Sequence, residues 1–528
     1  REKEINEKNQ EQITLLEKMI KDYPDIADDT KAERMFQLAE LKWEIAKYKY
    51  LRERKEYEKK VEACMEDKTV KCPEKEPIAD YSNSIKIYKD ILKDLPRYSR
   101  MDEVVFYLGY GLQQAGKPNE AVSYFQKIIQ KYKDSRYVPN SYLALGEFFF
   151  ENNSFVAAEK NYAEVLKNKE SEVYDLGMYK MGWTYYNLGV SQEGDKKWEY
   201  LNKSVEFFQY SIEKAKQAMS FKDQAKNDLV LVYSEYDDAF LKVKNYYYKL
   251  SGQEESIKKL NNLGELLLAQ GKDDQAIEVF RYLITSDPNG QRVPEYYSIV
   301  LESTIRLNKP EIIEKTYREL IDYFAPDNTW MRANKDKDYQ KEGYELARKI
   351  LQNRAVIVHE SAQKCNPADK KFKCDKKALY LNAGELYKEY IAKYSESTEA
   401  YQDSFYYAEI LFYQKEDFKE AANYYEKVFK NEAAKEYFAD AAFGMILALE
   451  KLMKDEIERL QTGTVNIEES KSAGALAQKE KEEFTDLQRQ YLLACDTYIK
   501  VVTDEKEKPK VRYGIARLYY EKAHYEEA

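Results

Sequence analysis

Apolar residues recur at helical spacing along most of this chain, and they recur in one repeated frame. The clearest copy starts at Leu263-Gly264, with Leu267 one turn further on. Ala276 follows Gly264 by twelve residues, Phe280 by sixteen and Pro288 by twenty-four. This frame predicts two helices in succession. Gly and Ala mark where they cross, since bulk there would push them apart, and Pro stops the second helix. The aromatic is expected to fill the gap toward the next pair.

The frame recurs. Leu108-Gly109 leads to Leu112, Ala121 and Phe125, and Leu145-Gly146 leads to Phe149, Ala158 and Tyr162. Ala408-Glu409 leads to Phe412, Ala421 and Tyr425, with Glu at the Gly position. Leu301-Glu302 leads to Ile305, Tyr317 and Pro326. Partial copies give second helices at Ser84, Tyr88, Ile91 and at Ala494, Tyr498, Val501. Met181-Gly182 and Tyr185 begin a pair whose second helix resumes at Ser204 and Phe208 after a short insertion. Ile515, Ala516 and Tyr519 open a truncated last copy. The chain therefore reads as all-α, with about ten helix pairs plus single helices at the ends. Phe221 to Ser251 is the weakest pair. Periodicity breaks at Pro326 to Asp338, where a bend is expected, and at Lys454 to Lys481, read as a loop inserted within a pair.

Leu-Gly, a large apolar residue, Ala, an aromatic and Pro at these spacings resemble the tetratricopeptide repeat. The resemblance implies an α-solenoid, a right-handed superhelix of helix-turn-helix units. Successive Gly positions at 109, 146 and 182 give a period slightly longer than the family's ~34 residues. The linker style of Gln130 to Phe150 is similar to that of bacterial envelope tetratricopeptide proteins of the BamD and YbgF type. The departure is Lys133, near where those proteins carry Pro. The reading divides the chain into arrays at 1–326 and 327–528, joined as one continuous solenoid.

Composition narrows the functional classes. Gly (18) and Pro (12) are scarce among 528 residues, and Tyr (49) is abundant, which suits helices that bury an aromatic body and keep a wet hydroxyl. The net charge is −10, with signs interspersed, so nucleic acid and anionic lipid are poor partners. The mixed run Lys47 to Glu62 reads as an exposed helix extension. No stretch approaches the ~18 apolar residues of a membrane span, and no signal peptide opens the chain. Both ends fall inside predicted helices, so a fragment or processed form is expected.

Four of five cysteines form two matched sets. Cys64 and Cys72, near 57–80, and Cys365 and Cys374, near 360–377, each follow a long first helix and a polar turn, and precede a second helix. Close cysteines flanking a turn point to a local disulfide closing each hairpin, and hence to an oxidising compartment. Zinc is the competing reading, but these spacings do not match ribbon or finger patterns. Free thiols in a cytosolic protein are the other. Cys495, beside the crossing residue Ala494, is expected to be buried. Tetratricopeptide arrays with Cys-bracketed insertions also resemble large surface and gliding proteins of deltaproteobacteria.

Nothing indicates catalysis. The two histidines, His359 and His524, are expected to be ordinary surface or turn residues rather than bases, and nucleotide loops, HExxH and EF-hand patterns are absent. No enzyme activity, cofactor or metal is expected. The resemblance implies a concave groove lined by first helices, suited to peptides or helices of other proteins. Positions three before, one after and four after the Gly place Phe106, Tyr110, Phe150, Tyr179, Trp183 and Tyr186 there. Clustered aromatics can anchor a partner, although the same stripe can be packing between repeats. A carboxylate clamp needs Lys and Asn on neighbouring first helices. The pairs Leu143/Glu147, Tyr179/Trp183 and Asn261/Glu265 do not supply it. The expectation is a non-catalytic protein-interaction scaffold, periplasmic or outer-membrane-associated. The alternatives are a cytosolic adaptor, or the regulatory region of a larger enzyme or secretion or motility machine.

Overall fold

The computed structural model describes residues 2–23, 26–66, 71–215, 219–335, 337–368, 373–429, 431–454, 480–503, 505–506 and 508–528. Among these, twenty-three α-helices and no strands are found. Twenty of the helices are consecutive pairs, the first Asp28–Glu66 with Ser82–Asp94 and the last Phe438–Leu452 with Asp486–Val501. Glu2–Asp22 and Lys508–Glu521 stand singly at the ends, and the one-turn helix Thr329–Ala333 lies between pairs. The fold is all-α, with helices packed on their sequence neighbours as in a tetratricopeptide-type solenoid. The chain divides into two compact units, Arg1–Leu266 and Leu267–Ala528, each with its own hydrophobic core.

The predicted crossing residues are where the helices touch. Met101–Gln114 meets Pro118–Lys131 at Gly109, where a Cβ would stand 3.1 Å from the Phe125 ring. Val138–Glu151 meets Phe155–Val165 at Gly146, where the same atom would stand 2.5 Å from Tyr162. Ala121 and Ala158 are buried beside them. The aromatic therefore packs first against the Gly of its own pair. It also reaches the next one: the Tyr425 ring lies under Gly444, on the following first helix.

Glu409 explains how one pair does without its Gly. Its carboxylate accepts the Tyr425 hydroxyl, so the larger side chain meets a partner rather than a clash. Tyr162 makes the same bond to Glu147, the neighbour of Gly146.

The insertion after Gly182 is not a loop. Both helices of that pair are lengthened, to Tyr174–Val190 and Gly194–Glu213. Ser204 Oγ donates to the Gly182 carbonyl at 2.8 Å, and Phe208 covers Gly182. Seven residues beyond Gly182, Gly189 meets Leu201, seven before Phe208. Seven residues are two helical turns, so the longer hairpin repeats its crossing contact in phase.

Phe221 to Ser251, the weakest pair in the sequence, forms Met219–Tyr233 and Ala239–Ser251. At the 326–338 break, Asn328 caps the short helix Thr329–Ala333. Trp330 is 1% exposed, edge-on to Phe324 at 4.8 Å and packed on Gly343. The break thus contributes an apolar plug to the core. Residues 47–62 lie on the 39-residue helix Asp28–Glu66 and are mostly exposed, as their charges require. Residues 455–479 of the expected loop lie outside the described residues.

Candidate interaction surface

The six aromatics expected to line a groove all lie in the first unit, and they differ in surroundings. Tyr110 is exposed at 39%. Phe106, one turn before it, is buried and stacks on Tyr137 of the following pair with ring centroids 4.5 Å apart. Phe150 is half-buried, edge-on to Phe155 across its own turn. Tyr179, Trp183 and Tyr186 gather on one helix, with Trp183 and Tyr186 edge-on at 5.7 Å.

Tyr179 and Trp183 close over a carboxylate from the next pair. The Tyr179 hydroxyl donates to Asp228 at 2.7 Å and Trp183 Nε1 donates to the same oxygen at 3.2 Å. Tyr179 and Trp183 also meet Phe208 edge-on. Burial raises the Asp228 pKa, against the two hydrogen bonds, which lower it. The pattern of first-helix positions held no sign of this partner, because Asp228 lies 49 residues from Tyr179. Of these six, Tyr110 is thus the most exposed, its ring 5.6 Å from that of Trp43.

The cysteine pairs fall in matching places. Cys64 lies in the last turn of the helix Asp28–Glu66 and Cys365 caps Asp338–Lys364, while Cys72 and Cys374 precede Ser82–Asp94 and Lys376–Lys393. The Cα atoms are 5.3 Å apart in the first pair and 6.0 Å in the second, with the sulfurs at disulfide distance. Both Cα separations suit a disulfide. Cys495 is buried, and burial pushes its thiol pKa up to about 12, which disfavours the reactive thiolate.

His359 corrects the surface expectation, being only 9% exposed. Its Nδ1 lies 3.2 Å from the Tyr387 hydroxyl, and Tyr380 and Tyr406 stand edge-on to the ring. Burial lowers its pKa and favours the neutral imidazole. His524 stacks on Phe484 near the Glu482 carbonyl. Among the described residues, no group of His, Cys, Asp or Glu could hold a metal ion, and no helix is long and apolar enough to cross a membrane.

The sequence reading missed a recess in the second unit, where His359, Tyr380, Phe405, Tyr406, Glu409 and Tyr413 meet. The one signal pointing to it was Glu at the Gly position of the Ala408-Glu409 copy.

Compared with known proteins, residues 103–135 and 262–290 match the tetratricopeptide repeat family. These stretches carry the frames of Gly109, Ala121 and Phe125 and of Gly264, Ala276 and Phe280. No curated protein matches the chain. The two matched repeats, with consecutive helix pairs crossing at small residues, support placing the chain in the tetratricopeptide repeat superfamily.

Proposed function

We infer that this chain is a non-catalytic scaffold that holds other proteins in a bacterial envelope assembly, in the periplasm or at the outer membrane. Repeats of this family present extended surfaces to protein segments, which supports the holding role. The matched cysteine hairpins carry the envelope part. Each staples the turn after a long first helix, and two such staples persist in an oxidising compartment. The resemblance of the linkers to BamD- and YbgF-type proteins agrees with that setting.

A thiol count tests the compartment. Protein denatured at lysis in the presence of an alkylating reagent and without reductant should carry one alkylated thiol, Cys495. Five would move the protein to a reducing compartment and favour the cytosolic adaptor. For the groove, Tyr110→Ala should weaken partner capture from envelope extracts while changing the melting temperature little, since this ring is already exposed. Undiminished capture of every partner would remove this face from the proposal.

A further inference from the structure

The recess in the second unit measures about 480 Å³ and opens between the first helices Asp338–Lys364 and Thr398–Ile410. Its walls are aromatic. Phe405 stacks on Tyr437 at 5.1 Å and stands edge-on to Tyr406, whose hydroxyl shares a 2.7 Å hydrogen bond with that of Tyr437. These contacts fix the two rings. Tyr413 is 60% exposed at the rim. It rides on a π-helical turn, Leu411–Lys415, which closes through Glu416 at φ +57°. Such turns cost stability and recur at functional sites.

The charge of the recess has one sign. Glu409 is the only carboxylate among its lining residues, and no Lys or Arg lines it. His359 in the wall is held neutral by burial. The cation on the π turn, Lys415, is engaged 2.7 Å from Glu385. Glu409 accepts the Tyr425 hydroxyl; burial raises its pKa and nearby Asp440 raises it further, against that hydrogen bond, so a paired cation is what stabilises its charge. Aromatic faces around one anchored carboxylate attract an organic cation, and a planar guanidinium can stack on rings while pairing with the carboxylate.

We propose that this recess receives an arginine side chain of a protein partner, with Glu409 as its counter-ion and Tyr380, Tyr406 and Tyr413 as stacking surfaces. The site is separate from the first-unit groove and does not depend on it.

Titration calorimetry of the full chain at 0.15 M salt tests this, with a neutral pentapeptide carrying one central arginine and the same peptide with citrulline in its place. Saturable one-site binding of the arginine peptide and none of the citrulline peptide is expected. Glu409→Gln keeps the acceptor for Tyr425 but removes the charge, and should weaken binding roughly tenfold. Tyr413→Ala removes an exposed ring and should weaken it about threefold to fivefold. Equal binding of both peptides, an unchanged Kd in Glu409→Gln, or no binding to the wild-type chain would each overturn the proposal. Should Glu409→Gln fail to fold, Tyr413→Ala and the citrulline comparison still decide it.

Discussion

At the scale of single residues, the tyrosines show how this chain combines burial with polarity. Tyr162, Tyr179 and Tyr425 bury their rings, and each hydroxyl reaches a carboxylate from another helix. A buried hydroxyl without a partner would cost about 1–3 kcal/mol, so the pairing is what allows so many tyrosines inside. Asp403 is the opposite case. It is 2% exposed, one carboxylate oxygen lacks a hydrogen-bond partner, and burial pushes its pKa up to about 8. Its unfolded value is near ~3.9. The folded chain therefore binds more protons between those values, and stability falls as pH rises from about 4 to 8. Asp403→Asn should lose that component. Its melting temperature should exceed wild type at pH 8 and approach it at pH 5, as circular dichroism can follow. A wild-type advantage that grew with pH would contradict the assignment.

At the scale of elements, the helix pair is decided by its crossing point, and crossings differ in tolerance. At Gly146 an added Cβ would stand 2.5 Å from a Tyr162 ring that Glu147 pins in place. At Gly109 the nearest atom, on Phe125, is 3.1 Å away and carries no such tether. Overpacking typically costs about 1–3 kcal/mol. Gly146→Ala should fall at the upper end and Gly109→Ala at the lower, in urea denaturation. Equal losses would mean that the tyrosine tether does not matter. The spacing of Leu-Gly, Ala and aromatic was enough to locate these crossings, because contacts between neighbouring helices have short sequence separation. It was not enough to read the region after Gly182. Lengthened helices and an inserted loop leave the same gap in the frame, and only the Gly189–Leu201 contact distinguishes them.

At the scale of the molecule, stability is distributed. Helices pack on their sequence neighbours, and two compact units each hold a core. Such arrays need not melt in one step. Differential scanning calorimetry should give a van't Hoff enthalpy well below the calorimetric enthalpy, or resolved transitions. A single two-state transition would argue against independent units. Local staples should matter less for global cooperativity, since each cysteine pair closes only 8 or 9 residues of separation.

The sequence by itself determined the all-helical class, the pairing of helices, the residues at their crossings and the matched positions of the two cysteine hairpins. All of these depend on helical period and on neighbours close in the chain. Tertiary structure alone decided which aromatics remain open. Periodicity assigns a residue to a helix face, but what covers that face comes from another pair tens of residues away. Thus Tyr179 and Trp183 close on Asp228 while Tyr110 stays exposed. His359 is likewise drawn into a wall of tyrosines, and Glu409 becomes the one charge of a recess that no local spacing describes.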